Sequence, residues 1–465
     1  MLLQNNFSFP VNCAIINRLI GVDAVKKRII FLMLASLTAL LFTGCAMQTV
    51  EEMYALPRRS EEFNEMQSAI DTAMYGMTYA SPQSGENQQT VQMADLDGDG
   101  VDEILVFAKG ATEKPLQVLI FTQQENGRVR TMETIGSNGL AFEQVEYVNF
   151  DNQPGLELVV GIRVADQVQR SVAVYTFRNG DAELMLMNGY SKFVTCDLDE
   201  NGCSELMVLR PGEQETQWGT AVLYHFAKGQ IERSAEMSLS ETPENIHRIM
   251  QGKLENGIPA IFVASAVGQD AVVTDVLTVK NNQLINLAFS SDVNTSVKTL
   301  RNYYVYAEDI DEDGVVEIPS MITMKPISHW DHEEEKNLLR WYSFDDNGWE
   351  YDKLFTFHNY VGGWYLELNS SWASRITVEQ NGGVYAFYLW DESYQAATHL
   401  FTLYVFTGST RDEEAVKGGR FALYRSEGIA YAASLSEAAA EYEITEEYLI
   451  DSFRLIRKDW QTGET

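Results

Sequence analysis

Residues 95–103 carry acidic side chains at alternating positions, an arrangement that a small hard cation requires of a loop. Three aspartates alternate with other residues, a glycine follows, and a glutamate ends the segment. Calcium takes about six to eight oxygen ligands in a flexible geometry, and the glycine permits a sharp bend that turns the carboxylates inward. We therefore predict a calcium site here. Its expected ligands are Asp95, Asp97, Asp99, the carbonyl oxygen of Val101, and Glu103.

The segment differs from an EF-hand. An EF-hand needs a glutamate at its twelfth position and a helix behind it. Here the twelfth position is Val106, inside the apolar run 104–107 that is typical of a strand. The acid stands at the ninth position instead, so we expect a loop between two strands.

The acidic pattern recurs at a nearly constant interval. Its copies begin at residues 95, 149, 197, 252 and 309, which are 54, 48, 55 and 57 residues apart. We number them loop 1 to loop 5: residues 95–103, 149–157, 197–205, 252–257 and 309–317. Loop 2 is a decayed copy, and loop 4 keeps the frame without the acidic pattern. A period of about 50 residues, with several strands in each unit, indicates a β-propeller or a similar array.

Loops 3 and 5 are full copies, so we predict calcium ligands in both. The expected ligands in loop 3 are Asp197, Asp199, Asn201, the carbonyl oxygen of Cys203, and Glu205. Those in loop 5 are Asp309, Asp311, Asp313, the carbonyl oxygen of Val315, and Glu317. The alternative is a metal-free turn of the kind that Asp and Asn favour. However, so many carboxylates in nine residues repel each other without a cation. We expect the bound calcium to have a structural role, because an ion that binds only the folded state stabilises it.

With these loops placed between predicted strands, segment 90–360 resembles the FG-GAP/VCBS repeats of integrin α-subunit propellers and of many bacterial surface proteins. The motif D-x-D-x-D-G-x-x-E carries the resemblance, in full in loops 1 and 5 and with an asparagine in loop 3. The resemblance implies a mainly β fold, a β-propeller with degenerate calcium-loop repeats. The Phe-Gly and Gly-Ala-Pro elements of the repeat are not evident in this sequence. Ligand binding of the integrin type is therefore not carried over.

The N-terminal part of the chain is typical of an export signal. Three basic residues at 26–28 precede the apolar run 29–42, which is shorter than a membrane-spanning helix, and Cys45 follows. This ending resembles the lipobox of bacterial lipoproteins, although Phe42 stands where leucine is usual. The resemblance implies that Cys45 is lipidated and becomes the first residue. An ordinary cleaved signal or a membrane anchor is the alternative. Residues 1–24 fit no signal peptide, and we interpret them as an extension from an incorrect start site.

The charge of the chain limits its partners. It carries 34 basic and 67 acidic residues, a net charge of -33, which disfavours nucleic acid. Removal of residues 1–44 takes away four basic residues and one acid, leaving 30 and 66. Anionic lipid head groups would repel such a protein, so the lipid anchor alone would hold it on the extracytoplasmic side of the cell membrane.

Two further groups of residues leave alternatives open. Cys196 and Cys203 bracket loop 3, either as a disulfide that clamps the loop or as two free thiols packed beside strands. Residues 329–335 contain two histidines and four acids, which suit a transition metal. A run of glutamates is more typical of a solvated loop, which we favour there.

We divide the chain into four segments. They are the leader and lipoprotein signal peptide (1–44), the lipidated Cys, tether and short helix (45–89), the propeller (90–360), and a C-terminal α+β module (361–465). The alternative for the last segment is that its strands form a sixth blade. Apolar spacing predicts a helix over 60–75 and a second helix capped by Thr445. The apolar side of the second helix is expected to carry Leu449, Ile450, Phe453 and Ile456.

The remaining motifs favour a binding protein. Six of the eight tryptophans lie between residues 330 and 390, where they either stack on sugar rings or pack in the core. The sequence contains no G-x-S-x-G, no phosphate loop and no dinucleotide fingerprint. We therefore predict a binding or scaffold protein of the cell envelope, with an unknown glycan or protein ligand. The alternative is an extracellular glycan-active hydrolase or lyase.

Overall fold

The computed structural model describes residues 61–124, 128–164, 169–178, 180–212, 218–303, 305–327 and 336–457. The chain divides into two compact units, Met1–Glu65 and Met66–Thr465. The predicted leader, Cys45 and the histidine-containing segment 329–335 lie outside the described residues. Within the described part, no helix combines the length and apolar character needed to cross a lipid bilayer.

The described residues form three α-helices, which are α1 (Glu61–Ala73), α2 (Arg411–Glu414) and α3 (Glu446–Ser452). Helix α1 confirms the helix predicted over 60–75. It is followed by Gly76, whose φ of +79° lies in the left-handed region that glycine adopts without strain. Ile70 packs with Val106 and Phe121, which belong to the first sheet. The helix therefore covers one face of that sheet.

The described strands form six antiparallel sheets that follow one another along the chain. Sheet 1 contains β1 (Met77–Tyr79), β2 (Val91–Ala94), β3 (Glu103–Gly110), β4 (Leu116–Gln123) and β5 (Val129–Ser137). Sheet 2 contains β6 (Ala141–Val148), β7 (Glu157–Arg163), β8 (Arg170–Thr176) and β9 (Glu183–Tyr190). Sheet 3 contains β10 (Lys192–Cys196), β11 (Glu205–Pro211), β12 (Gly219–Ala227) and β13 (Gln230–Ser238).

The other three sheets include the C-terminal part of the chain. Sheet 4 contains β14 (Ile246–Lys253), β15 (Pro259–Val267), β16 (Ala271–Lys280) and β17 (Gln283–Asn286). Sheet 5 contains β18 (Ile318–Thr323), β19 (Asn337–Phe344), β20 (Glu350–Asn359), β21 (Trp364–Leu368) and β27 (Phe453–Leu455). Sheet 6 contains β22 (Ile376–Asn381), β23 (Val384–Trp390), β24 (Ala397–Thr407), β25 (Phe421–Ser426) and β26 (Ile429–Leu435).

Loops 1 to 4 are each followed by a strand that is buried along most of its length, whereas β18, after loop 5, is buried only at Ile318 and Pro319. In β3, β7, β11 and β15 nearly all residues are buried, whatever face they point to. Strands covered on both faces have continuous apolar sequences instead of alternating ones. The sequence after loops 1 to 4 shows such a run because the neighbouring layers of structure cover both faces of the strand.

Apolar contacts join each sheet to the next. The ring pairs Phe107–Phe142, Tyr190–Phe193 and Phe357–Phe387 join sheets 1 and 2, 2 and 3, and 5 and 6. One apolar cluster includes Leu209 of sheet 3 and Ile261 of sheet 4, and another includes Phe262 of sheet 4 and Phe344 of sheet 5. Sheets 2 to 5 therefore bury one face against the preceding sheet and the other face against the following sheet. The result is a mainly β architecture with a separate apolar core between each pair of neighbours.

The end of the chain returns to sheet 5. The side chain of Thr445 accepts a hydrogen bond from the backbone N–H of Tyr448, which confirms the predicted cap of α3. The predicted continuation of its apolar side through Phe453 is wrong, because the helix ends at Ser452 and Phe453 begins β27. Strand β27 pairs with the edge strand β21, and Phe453 stacks on Trp364 at 5.9 Å. Burial of the aromatic ring and pairing of the sheet edge both favour a strand here.

Candidate metal centres

Three carboxylates come together in each of loops 1, 3 and 5. The clusters are Asp95, Asp97 and Asp99 in loop 1, Asp197, Asp199 and Glu205 in loop 3, and Asp309, Asp311 and Glu317 in loop 5. Within each cluster the oxygen atoms lie within 4.8 Å of one another. The structure thus brings together acids in the three loops that the sequence selected.

The same two kinds of hydrogen bond fold all three loops. The first aspartate accepts the backbone N–H of the glycine five residues later, at 3.0, 2.9 and 2.9 Å in loops 1, 3 and 5. The second aspartate accepts the N–H two residues later, at 3.1, 3.2 and 3.3 Å. These glycines have φ values of +86° to +87°, where a side chain would strain the backbone. The aspartates are therefore held by the loop itself.

A buried glutamate at the ninth position closes the frame. These glutamates are Glu103, Glu157, Glu205 and Glu317. In loops 1, 2, 3 and 5, Oε2 of the glutamate accepts the backbone N–H of the second loop residue, at 3.0, 2.9, 2.8 and 3.1 Å. One carboxylate oxygen therefore fixes the loop to the following strand, and the other is left for a further contact.

That second oxygen distinguishes loop 5 from loop 2. Oε1 of Glu317 is buried and has no hydrogen-bond partner among the described residues. In loop 2, the hydroxyl of Thr176 donates to Oε1 of Glu157 at 3.2 Å. A buried polar atom without a partner costs about 1–3 kcal/mol. A cation in loop 5 would satisfy this oxygen, whereas the corresponding oxygen in loop 2 is already satisfied.

Glu103 in loop 1 shares features with both Glu317 of loop 5 and Glu157 of loop 2. Its Oε1 has no hydrogen-bond partner within the described part of the chain. Burial raises the pKa of this carboxyl, and the Leu96 N–H and the nearby Thr122 hydroxyl oppose the rise.

Burial also raises the pKa of the other two glutamates, to about 7 for Glu205 and about 8 for Glu317. A backbone N–H opposes each shift, and the neighbouring aspartates add to it. A divalent cation would favour the ionised carboxylates instead. Oxygen ligands of this kind suit calcium or magnesium better than a soft metal. The carbonyl oxygens of Val101, Cys203 and Val315 stay predicted ligands.

Loop 2 contains positively polarised groups of its own. The guanidinium of Arg178 pairs with Asp151, whose side chain is only 2% exposed, and lies 5.0 Å from the centre of the Phe226 ring. The side-chain amide of Asn149 donates to the Gln153 carbonyl at 2.7 Å. The arginine and the amide provide inside this loop the positive partners that a metal would provide in loops 1, 3 and 5. The sequence pattern indicates that loop 2 has lost acidic residues, but it does not indicate that Arg178 contacts this loop.

We expect Arg178→Gln to destabilise the protein by about 1–3 kcal/mol, because it leaves the Asp151 carboxylate buried without its cation. Thermal unfolding should show the same loss in calcium and in EDTA, since loop 2 does not depend on a metal. Arg163→Gln is a matched control. Arg163 is also 39% exposed, but its ion pair with Glu143 spans 3.5 Å and the acid is less buried. An equal loss in the two variants would contradict the role of Arg178.

Backbone hydrogen bonds connect neighbouring loops and correct the frame of loop 4. The first residue of loops 1 and 2 accepts, through its carbonyl, an N–H from the eighth residue of the following loop, at 2.9 and 2.8 Å. In the same way, the N–H of Val316 in loop 5 donates to the carbonyl of Lys253 at 3.0 Å. The equivalent of Asp95 is therefore Lys253 and not Gly252. The shift places the fully buried Leu254 where the other loops have their buried apolar second residue.

Lys353 connects loops 4 and 5. Its Nζ lies 2.8 Å from the carboxylate of Asp313 and 3.1 Å from that of Glu255. Asp313, a predicted ligand, therefore has a positive partner outside the cluster of Asp309, Asp311 and Glu317. Nothing in the sequence near loop 5 indicates this lysine, which comes from β20.

Cys196, beside loop 3, and Cys203, within it, are free thiols in the structure, so the disulfide alternative is not found there. Cys196 ends β10 and lies opposite Glu205 in β11, so its position is set by the strand ladder. Burial raises the pKa of Cys196 to about 12, with the neighbouring acids adding to the shift. A thiol with this pKa is a poor nucleophile.

The tryptophans divide into two groups. Four of those between residues 330 and 390 are buried, which supports core packing for Trp341, Trp364, Trp372 and Trp390. Trp349 is 70% exposed. Trp330 lies outside the described residues.

Comparison with known proteins adds little to this picture. No protein-family model matches the sequence, and no curated protein is significantly similar to it. No family is shown. Among solved structures, an exo-type rhamnogalacturonan lyase is 12% identical, with a TM-score of 0.26 over 70% of this chain and 72% of that chain. A Bacillus licheniformis rhamnogalacturonan lyase is 13% identical, with a TM-score of 0.29 over 70% and 72% of the two chains. A Lactobacillus plantarum protein is 8% identical, with a TM-score of 0.26 over 68% and 85%.

Proposed function

We propose that this protein is a calcium-stabilised binding module of the bacterial cell envelope. The observation that carries the proposal is the buried Oε1 of Glu317, which has no donor among the described residues and belongs to a carboxylate within 4.8 Å of Asp309 and Asp311. A bound calcium would satisfy this oxygen and neutralise the repulsion among the three acids. Loops 1 and 3 have the same backbone frame and would also bind the ion, loop 3 through Asp197, Asp199 and Glu205 and loop 1 through three aspartates.

Calcium in these loops would act on stability. Loop 1 joins β2 to the buried strand β3, and loop 3 joins β10 to the buried strand β11, so an ion there would fix the connection. A cavity of about 470 Å³ lies elsewhere, between sheets 1 and 2, with apolar walls that include Val118, Phe142 and Ile162. No carboxylate of the three clusters lines it.

The sheet order supports a β-propeller of FG-GAP/VCBS type as part of the proposal. Six antiparallel sheets follow one another in chain order, and each packs against the next. Radial repetition of small sheets is the principle of a propeller. We propose that sheet 6 is the sixth blade, packed against sheet 5.

The cellular location in the proposal follows from the leader. Lipidation of Cys45 would hold the protein on the extracytoplasmic side of the membrane, where calcium sites in extracellular modules have Kd values of about 0.1–1 mM. The mature chain would then display its sheets to a glycan or protein ligand.

Equilibrium dialysis of metal-free protein against calcium tests the proposal. We expect saturable uptake of up to three calcium ions per chain, one for each carboxylate cluster. Magnesium should bind more weakly, because it demands a stricter octahedral geometry and gives up its water reluctantly. Absence of calcium uptake at about 5 mM free ion, well above the Kd expected for such modules, would contradict the proposed function.

A further inference from the structure

Trp349 is exposed at the turn that joins β19 to β20. Its side chain is 70% exposed, and that of Tyr351, two residues later, is 43% exposed. Side chains two residues apart on an extended strand leave it on the same side. Burial of apolar area gains about 25 cal/mol per Å², so an indole left in water is available for stabilising contact with a ligand.

The turn that carries Trp349 is held by its own hydrogen bonds. Oδ1 of Asp345 accepts the backbone N–H groups of both Asn347 and Trp349 at 2.9 Å. The N–H of Asp345 donates to the carbonyl of Trp349 at 3.0 Å, and the N–H of Gly348 donates to the carbonyl of Asp345 at 2.9 Å. The φ of Gly348 is +75°, in the left-handed region.

Two lysines from outside the turn form hydrogen bonds with its backbone. Nζ of Lys298 donates to the carbonyl of Gly348 at 2.8 Å. Nζ of Lys280, at the end of β16, donates to the carbonyl of Asp346 at 2.9 Å and pairs with its carboxylate at 3.0 Å. The indole is thus presented by a turn that is ordered before any ligand arrives. Such preorganisation lowers the entropy that binding costs.

The other side chains at the turn are polar. The amide of Asn256, from loop 4, donates to Asp346 at 3.0 Å. The hydroxyl of Tyr351 donates to Asp345 at 3.3 Å. Protein interfaces place their aromatic anchors in an apolar, dehydrated core. A sugar instead offers an apolar C–H face for an aromatic ring and hydroxyls that both donate to carboxylates and accept from amides.

We propose that Trp349 and Tyr351, together with the polar groups of the turn, form a binding site for a neutral oligosaccharide. The inference rests on the proposed binding function and assigns it a ligand class and a surface. The ligand is neutral because Lys280 and Lys298 balance the charges of Asp345 and Asp346 at the turn, so the turn offers no net charge to an ionic group. The chain's net charge of -33 in addition repels an acidic glycan.

Fluorescence titration and calorimetry of the calcium-loaded protein test the site. The probes are cellohexaose, mannohexaose, xylohexaose and chitohexaose as neutral sugars, with hexagalacturonate as an acidic one. We expect saturable binding of at least one neutral sugar, a shift in tryptophan emission, and no binding of hexagalacturonate. Trp349→Ala should weaken binding at least tenfold, and Trp349→Phe should recover part of the loss.

Tyr75→Ala is the matched control, because this aromatic is 91% exposed and lies beside helix α1. It should leave sugar binding unchanged, and all variants should keep the melting temperature of the parent. No neutral sugar binding, equal binding by Trp349→Ala, or a preference for hexagalacturonate would overturn the inference. Calcium uptake is measured on the same samples. Intact uptake without sugar binding refutes this site alone, whereas absent uptake refutes the proposed function.

Discussion

Removal of divalent cations with EDTA is expected to lower the melting temperature by roughly 5–10 °C, and added calcium is expected to restore it. An ion that binds only the folded state adds RT ln(1 + [L]/Kd), about 2.7 kcal/mol for each site at a hundredfold excess over Kd. Three such sites add about 8 kcal/mol, and each kcal/mol shifts the melting temperature of a chain this long by about one degree. Differential scanning calorimetry with EDTA, calcium or magnesium measures the effect.

The same measurement has a pH dependence whose sign follows from the buried glutamates. In the metal-free protein, burial raises the pKa of Glu205 to about 7 and of Glu317 to about 8, above the ordinary 4.5. The folded state then binds more protons than the unfolded state between pH 4.5 and 8. The contribution of these two glutamates to the free energy of unfolding is therefore complete below pH 4.5 and is lost as the pH rises through 8.

In EDTA we therefore expect the contribution of Glu205 and Glu317 to fall from pH 5 to pH 8. In calcium this fall should disappear, because the ion holds both carboxylates in their ionised form. The quantity to compare is the calcium-induced rise in melting temperature, which should grow with pH across this range. A rise that is absent, or that shrinks as the pH increases, would show that no cation binds these glutamates.

The carboxylate clusters could be predicted from sequence because their geometry is local. Within nine residues, the spacing of the acids and the position of the glycine set the hydrogen bonds that fold loops 1, 3 and 5. The buried strands after loops 1 to 4 can be predicted for a similar reason, because each is a short apolar run. The frame of loop 4 was misplaced by one residue, since its register depends on a hydrogen bond from Val316.

Contacts between distant parts of the chain could not be predicted in the same way. Arg178 reaches Asp151 from the end of the following hairpin, and Lys353 reaches Asp313 from another strand. Each is an ordinary basic residue in the sequence, and only the packing of strands places it beside an acid. The return of β27 to sheet 5 is a further case, because the apolar spacing of residues 449–456 suits a helix equally well.

The exposed Trp349 is another feature that the sequence alone does not predict. Clustering of tryptophans between residues 330 and 390 is compatible with a core and with a sugar-binding surface. Burial of four of them and exposure of Trp349 separate these roles residue by residue. Trp349 is exposed because it lies at the end of a turn closed by Asp345. The Asp-Asp-Asn-Gly sequence of that turn is a strong hairpin signal.

Glu317→Gln is expected to have opposite effects on stability in EDTA and in calcium: no loss of stability in EDTA, and a loss of stability in calcium. The glutamine oxygen can still accept the Ile310 N–H, and its amide can donate toward Asp309 and Asp311. Without metal, the variant should therefore be as stable as the parent or more stable, since a buried carboxylate oxygen without a partner has been removed. In calcium it should be less stable, because loop 5 has lost an anionic ligand. Calcium uptake should fall by about one ion per chain.

Glu157→Gln is the matched control, since Glu157 makes the same bond to its loop at 2.9 Å. Its second oxygen already has a partner in Thr176, whose hydroxyl can rotate to accept from the glutamine amide. This variant should keep the full calcium uptake and the full calcium-induced rise in melting temperature. The two glutamates are thus equivalent in backbone frame and differ in their need for a cation. Identical calcium responses from the two variants would mean that the unpaired oxygen of Glu317 does not mark a metal site.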